Sequence, residues 1–320
     1  MPADQGRARP AGVVAGLDGS SAANAAAAWA ADWAHHQGLP LRLVTAAPAV
    51  AHSAQVHAQL VHELHAVLVR GAAAATAQHP GLPISVDVLH HSPAAALVEL
   101  SSQARLMVVG NRGAGGWADL LLGSVAADVA AHAHCVVVVC PERRPHRFDG
   151  RIVLGVDDGP QTQEAAEFAF RVAAQWSCPL TAAHVLDSDV GPFASSAHSL
   201  QPAAGRGPDG TGGGARVPDA VRATLAACAA RHPDVTVEEI TTTGRPAAVL
   251  SRLAQDAGLL VVGSRGRGGF AGLLLGSTSR DLLQAASCPV AVVRPGDLAG
   301  TRQDGCRRPS EGGTTPITRR

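Results

Sequence analysis

Short, largely apolar runs separated by longer amphipathic or alanine-rich stretches set the rhythm of this chain. Val13 to Asp18, Leu41 to Ala47, Ile84 to Leu89, Leu106 to Gly110 and Cys135 to Cys140 have the length of strands. Apolar residues unbroken by polar ones mark strands buried on both faces. Between them, Ser21 to about Gln37 is long enough for a helix. From Ala54 to Gln78 the residues Val56, Leu60, Leu64 and Leu68 recur at four-residue spacing, which predicts a second helix. Pro93 opens a third helix at a position that tolerates proline, and a fourth starts at Ser124. Five such strands alternating with helices predict an open parallel sheet covered on both sides.

The order then repeats. Ile152 to Asp157, Pro179 to Leu186, Val235 to Ile240, Leu259 to Gly263 and the Val-rich run after Cys288 are the second set of strands. Thr162 to Trp176, Ala220 to Arg231 and segments from Pro246 and Ser277 are its helices. Asp18 and Asp157, like Pro40 and Pro179, are displaced by 139, whereas Pro93 and Pro246 are displaced by 153, so the second copy has gained 14 residues. The stretch of about 188–217, dense in Gly and Pro toward its end, is the place for them and reads as a mobile loop. The expected organisation is a disordered segment 1–10, a domain 11–144, a short linker 145–150, a second domain 151–295 and a disordered tail 296–320.

One motif occurs in both copies. Gly263-Ser264-Arg265-Gly266 follows an apolar run and is succeeded, after nine residues, by Gly276-Ser277 at a helix start. Gly110-Asn111-Arg112-Gly113 and Gly123-Ser124 repeat it 153 positions earlier. Small loop residues admit a ligand to the backbone, and a helix start offers unpaired N–H donors and partial positive charge, so the motif predicts a phosphate cradle. In an open parallel sheet the ligand crevice lies where the strand order reverses, which brings Asp18 and Asp157 to the same ends as acceptors for ribose hydroxyls. Ser124 and Ser277 could also cap their helices. Arg112 and Arg265 either pair with phosphate or point to water, and His184 either touches a ligand or belongs to the core.

The motif, Gly-x2-Gly-x9-Gly-Ser, resembles that of the universal stress protein family, in tandem form over about residues 11–295. The resemblance implies a Rossmann-like α/β fold of the adenine-nucleotide alpha-hydrolase type, with two tandem five-stranded parallel sheets. It implies an ATP site in each copy, with Mg2+ as an accompanying ion. Asp18 and Asp157 would face the nucleoside, and Ala46 and Val185 would border the adenine. Gly110, Gly113, Gly123 and Ser124, with Gly263, Gly266, Gly276 and Ser277, would hold the phosphates, and Val125, Arg265 and Thr278 belong to the same nucleotide sites. Family members pair through the last strand, which implies that the two copies pack together as a pseudo-dimer and leaves room for a homodimer. The second copy keeps Gly244-Arg245-Pro246 and Cys288-Pro289, which become His91-Ser92-Pro93 and Cys135-Val136 in the first. Arg105 and Gly258 replace the acidic residue that usually precedes the fourth strand.

Composition narrows the alternatives. Lys+Arg and Asp+Glu are equal at 26 each, so no net field attracts nucleic acid or an anionic membrane. No run reaches about 18 uncharged apolar residues, and the N-terminus lacks a signal-like apolar core, so the expectation is a cytoplasmic protein. The chain has no lysine, which removes the Walker A loop and Schiff-base chemistry. The six cysteines lack CxxC spacing, and the histidines of His62-Glu63-Leu64-His65 are three apart, not the four of a zincin. Gly266 to Ala271 fits Gly-x-Gly-x-x-Ala, but it follows a fourth strand, and a dinucleotide fingerprint belongs after the first. No nucleophile and base repeat between the copies. The expected function is nucleotide-dependent regulation of stress adaptation or growth arrest, with at most slow ATP hydrolysis. The alternative is a protein-interaction scaffold with one or both pockets idle.

Overall fold

The computed structural model describes residues 12–47, 54–114, 122–142, 150–187, 217–266 and 274–298. The first half runs β1 (Val13–Gly16), α1 (Ser21–Gln37), β2 (Leu41–Ala46), α2 (Ala54–Gln78), β3 (Ile84–Leu89), α3 (Pro93–Ser101), β4 (Leu106–Gly110), α4 (Ser124–His132) and β5 (Val136–Cys140). The second runs β6 (Ile152–Val156), α5 (Thr162–Trp176), β7 (Leu180–Leu186), α6 (Asp219–Arg231), β8 (Val237–Thr243), α7 (Pro246–Leu253), β9 (Leu259–Gly263), α8 (Ser277–Ala285) and β10 (Val290–Val293).

Within each half the five strands are parallel. Val13 of β1 pairs with Leu41 of β2 on one side and with Leu106 of β4 on the other. The chain thus moves outward in opposite directions from β1 and from β4, and the crevice between their carboxyl ends is the switch point. The two five-stranded sheets are joined edge to edge into one ten-stranded sheet of order β3-β2-β1-β4-β5-β10-β9-β6-β7-β8. The join is antiparallel, with Val290 opposite Val139 and Val292 opposite Val137. β5 and β10 are buried at every residue, because each covers the apolar edge that the other would expose.

Packing across the seam is aromatic. Trp29 and Trp33 of α1 stack with ring centroids 5.0 Å apart, and Trp33 meets Phe168 at 5.9 Å and Trp176 at 5.5 Å on α5. Trp29 is fully buried. The alanines of α1 and α5, among them Ala30 and Ala169, let both helices lie close to the sheet, so the two halves share one core on this face.

Two details differ from the sequence-based expectation. β8 covers Val237–Thr243, not Val235 to Ile240. It is the outer strand, half-exposed, and its register is set by pairing Leu186 with Thr243 at its end. The expected disordered tail starts at Gly296, yet Leu298 is 7% exposed and packs in the core. The expected mobile loop falls almost wholly, and the linker all but Gly150, outside the described residues. No helix among the described residues is long and apolar enough to cross a membrane.

The turn after β10 ties the halves together a second time. The Arg294 guanidinium donates to the carbonyls of Val129, at 3.2 Å, and Ala130 near the end of α4, where a cation also meets the negative end of the helix dipole. Gly296 N–H donates to the Glu164 carboxylate at the start of α5, and Arg294 N–H donates to Asp297 Oδ2 at 2.8 Å. Burial, with a smaller contribution from Glu164, pushes the Asp297 carboxyl from 3.8 up to about 6 against the pull of Arg294. A carboxyl raised in the folded state stabilises when protonated, so its contribution is full below 3.8 and is lost as pH rises through about 6. Asp297→Asn is therefore expected to be more stable than the parent at pH 7.5 and to lose that advantage at pH 4, measured as the difference in urea midpoints.

Candidate functional site

Each half carries one cavity at its switch point. In the first half β1 leads to Asp18 and β4 leads to Gly110, and the loop beyond Gly110 curls back over the carboxylate. Asp18 Oδ1 accepts the Ser20 N–H at 2.9 Å, and Oδ2 accepts the Ala114 N–H at 2.7 Å. In the second half Asp157 Oδ1 accepts from Gly159 N–H at 2.9 Å and from the Thr162 hydroxyl at 3.0 Å. Both carboxylates are thus fixed by donors before any ligand arrives.

The glycines have structural reasons that the sequence alone conceals. A Cβ on Gly113 would stand 2.7 Å from Asp18 Oδ2, and one on Gly266 would stand 2.6 Å from Asp157 Oδ2. The second glycine of each motif is therefore the partner of the carboxylate. Gly110 lies under α1, where a Cβ would come within 2.6 Å of the Ala22 backbone. Gly123 and Gly276 close the loops: their N–H groups donate to Asn111 O at 2.8 Å and Ser264 O at 2.7 Å. Those two amides are engaged within the protein, and the donors left for an anion lie one turn on, at the starts of α4 and α8.

The first cavity, of about 160 Å³, is bordered by Asp18, Ala46, Gly110, Gly113 and Val125 of the expected residues. The second, of about 110 Å³, is bordered by Asp157, Val185, Gly263, Arg265, Gly266 and Thr278. Gly123, Ser124, Gly276 and Ser277 border neither. Ser124 and Ser277 are the first helical residues, the N-cap positions being Gly123 and Gly276, so their hydroxyls do not cap. Arg112 and Arg265 both reach a cavity wall.

His184 does not. Alternation along β7 turns Ala183 and Val185 to the cavity and His184 to the opposite face, where it is 2% exposed and its Nδ1 lies 3.1 Å from Val156 O. Sequence reasoning missed Leu97 and Leu250, which wall the two cavities from α3 and α7. They are displaced by 153, the same interval as the glycine motif, and that was the available signal. It also missed Leu64 of α2, which lines the first cavity only, and Thr162, which lines the second where Ala23 lines the first. His62, Glu63 and His65 are exposed on α2.

The buried thiols offer no ready nucleophile. Burial pushes Cys135 up to about 12 and Cys228 up to about 11, so both are protonated at neutral pH. What the cavities do offer is one fixed carboxylate, a glycine loop, a helix start and an apolar wall.

Fold and cavities together define a tandem Rossmann-like α/β protein with a crevice at the switch point of each half. The family model for the universal stress protein family matches residues 12–141 and again 150–294. The chain belongs to that family. It is 34% identical over 314 residues to universal stress protein Rv1996 of Mycobacterium tuberculosis, covering 88% of this chain and 95% of that protein. It is 33% identical over 300 residues to Rv2623 of the same organism, covering 88% and 96%. A crystal structure of a universal stress protein from Archaeoglobus fulgidus matches with a TM-score of 0.62 over 88% of this chain and 98% of that one. At 19% identity that likeness speaks for the fold.

Proposed function

We propose that this chain is an ATP-binding universal stress protein that acts as a nucleotide-dependent regulator of stress adaptation or growth arrest. The observation that supports it best is the duplicated contact of a carboxylate with the second glycine of a loop, over a cavity at the switch point of each half. In this reading Asp18 and Asp157 accept the ribose hydroxyls. Ala46 and Val185 border the base, and the first turns of α4 and α8 take the phosphates through their N–H groups. Among the described residues each cavity provides a single carboxylate, already engaged by protein donors, so an accompanying Mg2+ would be held chiefly by phosphate oxygens. Slow hydrolysis at most belongs to the same reading: among the described residues no histidine lines either cavity, and the Thr162 hydroxyl beside Asp157 is shared with the Asp157 carbonyl.

A homodimer of the tandem chain belongs to the same reading. Since β5 and β10 are consumed in the intrachain seam, a second copy must use another surface. Truncating Asp157 removes one acceptor for the ligand. The loss of about 1–3 kcal/mol predicts that Asp157→Ala weakens ATP about five- to 150-fold at the second cavity. Titration calorimetry reads this directly, and an unchanged affinity removes Asp157 from the site.

A further inference from the structure

The two glycine loops are not braced alike. Gln161 stands immediately before α5 and is 7% exposed. Its Oε1 accepts the Ser264 hydroxyl at 2.9 Å and the Arg265 N–H at 2.7 Å. A backbone N–H can only donate, so the amide oxygen is fixed toward the loop. Both donors sit between Gly263 and Gly266. Ser264 N–H also donates to Val293 O at 2.8 Å and Ser264 O accepts Gly276 N–H at 2.7 Å, so this loop is fastened from three sides.

The first half keeps two of those fastenings, Asn111 N–H to Cys140 O and Gly123 N–H to Asn111 O, both at 2.8 Å. The third is made differently: the Ser20 hydroxyl donates to Arg112 O at 3.3 Å and the Ala114 N–H donates to Asp18 Oδ2 at 2.7 Å, with no side-chain amide involved. At the interval of 139 the counterpart of Gln161 is Ala22, which has no side-chain acceptor. Asn111, the counterpart of Ser264, has its Oδ1 buried with no hydrogen-bond partner.

We infer that Gln161 is a positioning residue that sets the second cavity, and not the first, for the phosphate groups of its ligand. The inference rests on the nucleotide reading above and adds that the two sites are built differently: phosphate recognition at the second depends on the Gln161 amide, and at the first it does not. A loop held in its bound shape does not have to be ordered on binding, and the donors it carries meet the phosphates at lower entropic cost. The base contact at Val185 lies on β7, outside the brace, and Asp157 is held separately by Gly159 N–H and the Thr162 hydroxyl.

Hydrogen exchange of the whole chain, followed by mass spectrometry on peptides spanning 106–114 and 259–266, separates the two loops without silencing either. ATP and adenosine are titrated separately against the parent, Gln161→Ala and Ser264→Ala. For Gln161→Ala the expected result is about tenfold weaker ATP protection of the second loop, with adenosine there and ATP at the first loop changed by less than about twofold. Ser264→Ala, which deletes one of two donors and a small side chain, should move in the same direction by about threefold. Equal losses for ATP and adenosine, or no loss of ATP protection, overturn the positioning role while leaving nucleotide binding in place. Failure of both ligands to protect either loop of the parent overturns the nucleotide reading and this inference with it.

Discussion

Replacing Gly113 and Gly266 together by valine is expected to weaken ATP binding by about 100-fold or more at both cavities while leaving the tandem fold intact. The reason is contact. The new Cβ atoms would stand 2.7 Å and 2.6 Å from the Oδ2 atoms of Asp18 and Asp157, well inside ordinary van der Waals distance. Either the carboxylate swings away or the loop lifts, and in both cases the acceptor and the glycine loop part company. Neither glycine has a positive φ among the described residues, so the substitution does not strain the backbone itself. Both lie at the surface end of the sheet, away from the buried cores. Calorimetric titration with ATP and a guanidinium melt of the same sample separate the two effects. Retained affinity would show that the carboxylate–glycine contact is incidental to binding. A collapse of the melt would show that it holds the fold.

The second large effect concerns the seam. Trp29→Ala is expected to cost about 3–5 kcal/mol, because it empties a fully buried indole site from a close-packed cluster. Trp29 touches Trp33 on its own helix and lies 6.4 Å, centroid to centroid, from Trp176 of the other half. The loss should therefore be shared by both halves, and fluorescence and far-UV ellipticity should report a single destabilised transition. The near-UV ellipticity of the cluster should fall in the same variant. A cost below about 1 kcal/mol, or a first half that melts alone while the second keeps its midpoint, would contradict the shared core.

The alternation of apolar runs with helices was legible because strands such as Val136–Cys140 are covered on both faces and tolerate almost nothing polar. The pairing of β5 with β10 was implied by the family resemblance, and the structure joins them edge to edge. β8 was read two to three residues early because only its inner side is packed. Glu238, Glu239 and Thr241 to Thr243 look like a loop until β7 is laid beside them. The glycine motif was visible, but its reasons were not. A sequence shows that Gly113 lacks a side chain and not that Asp18 occupies the space where one would go. Gln161 left no trace because it occurs in one copy only, and the repeat, which revealed so much else, hides what it does not repeat. His184 was decidable in advance: if Val185 faces the ligand, its neighbour on the strand does not.

The central claim is that both switch-point cavities hold an adenine nucleotide. Its most direct test is to incubate the purified full chain with millimolar ATP, remove free ligand rapidly, extract what remains bound and quantify it against protein. The account predicts about two adenine nucleotides per chain, falling to about one in Asp157→Ala. No retained nucleotide, confirmed by the absence of any heat of binding, would contradict it and leave a tandem α/β scaffold whose cavities serve some other end.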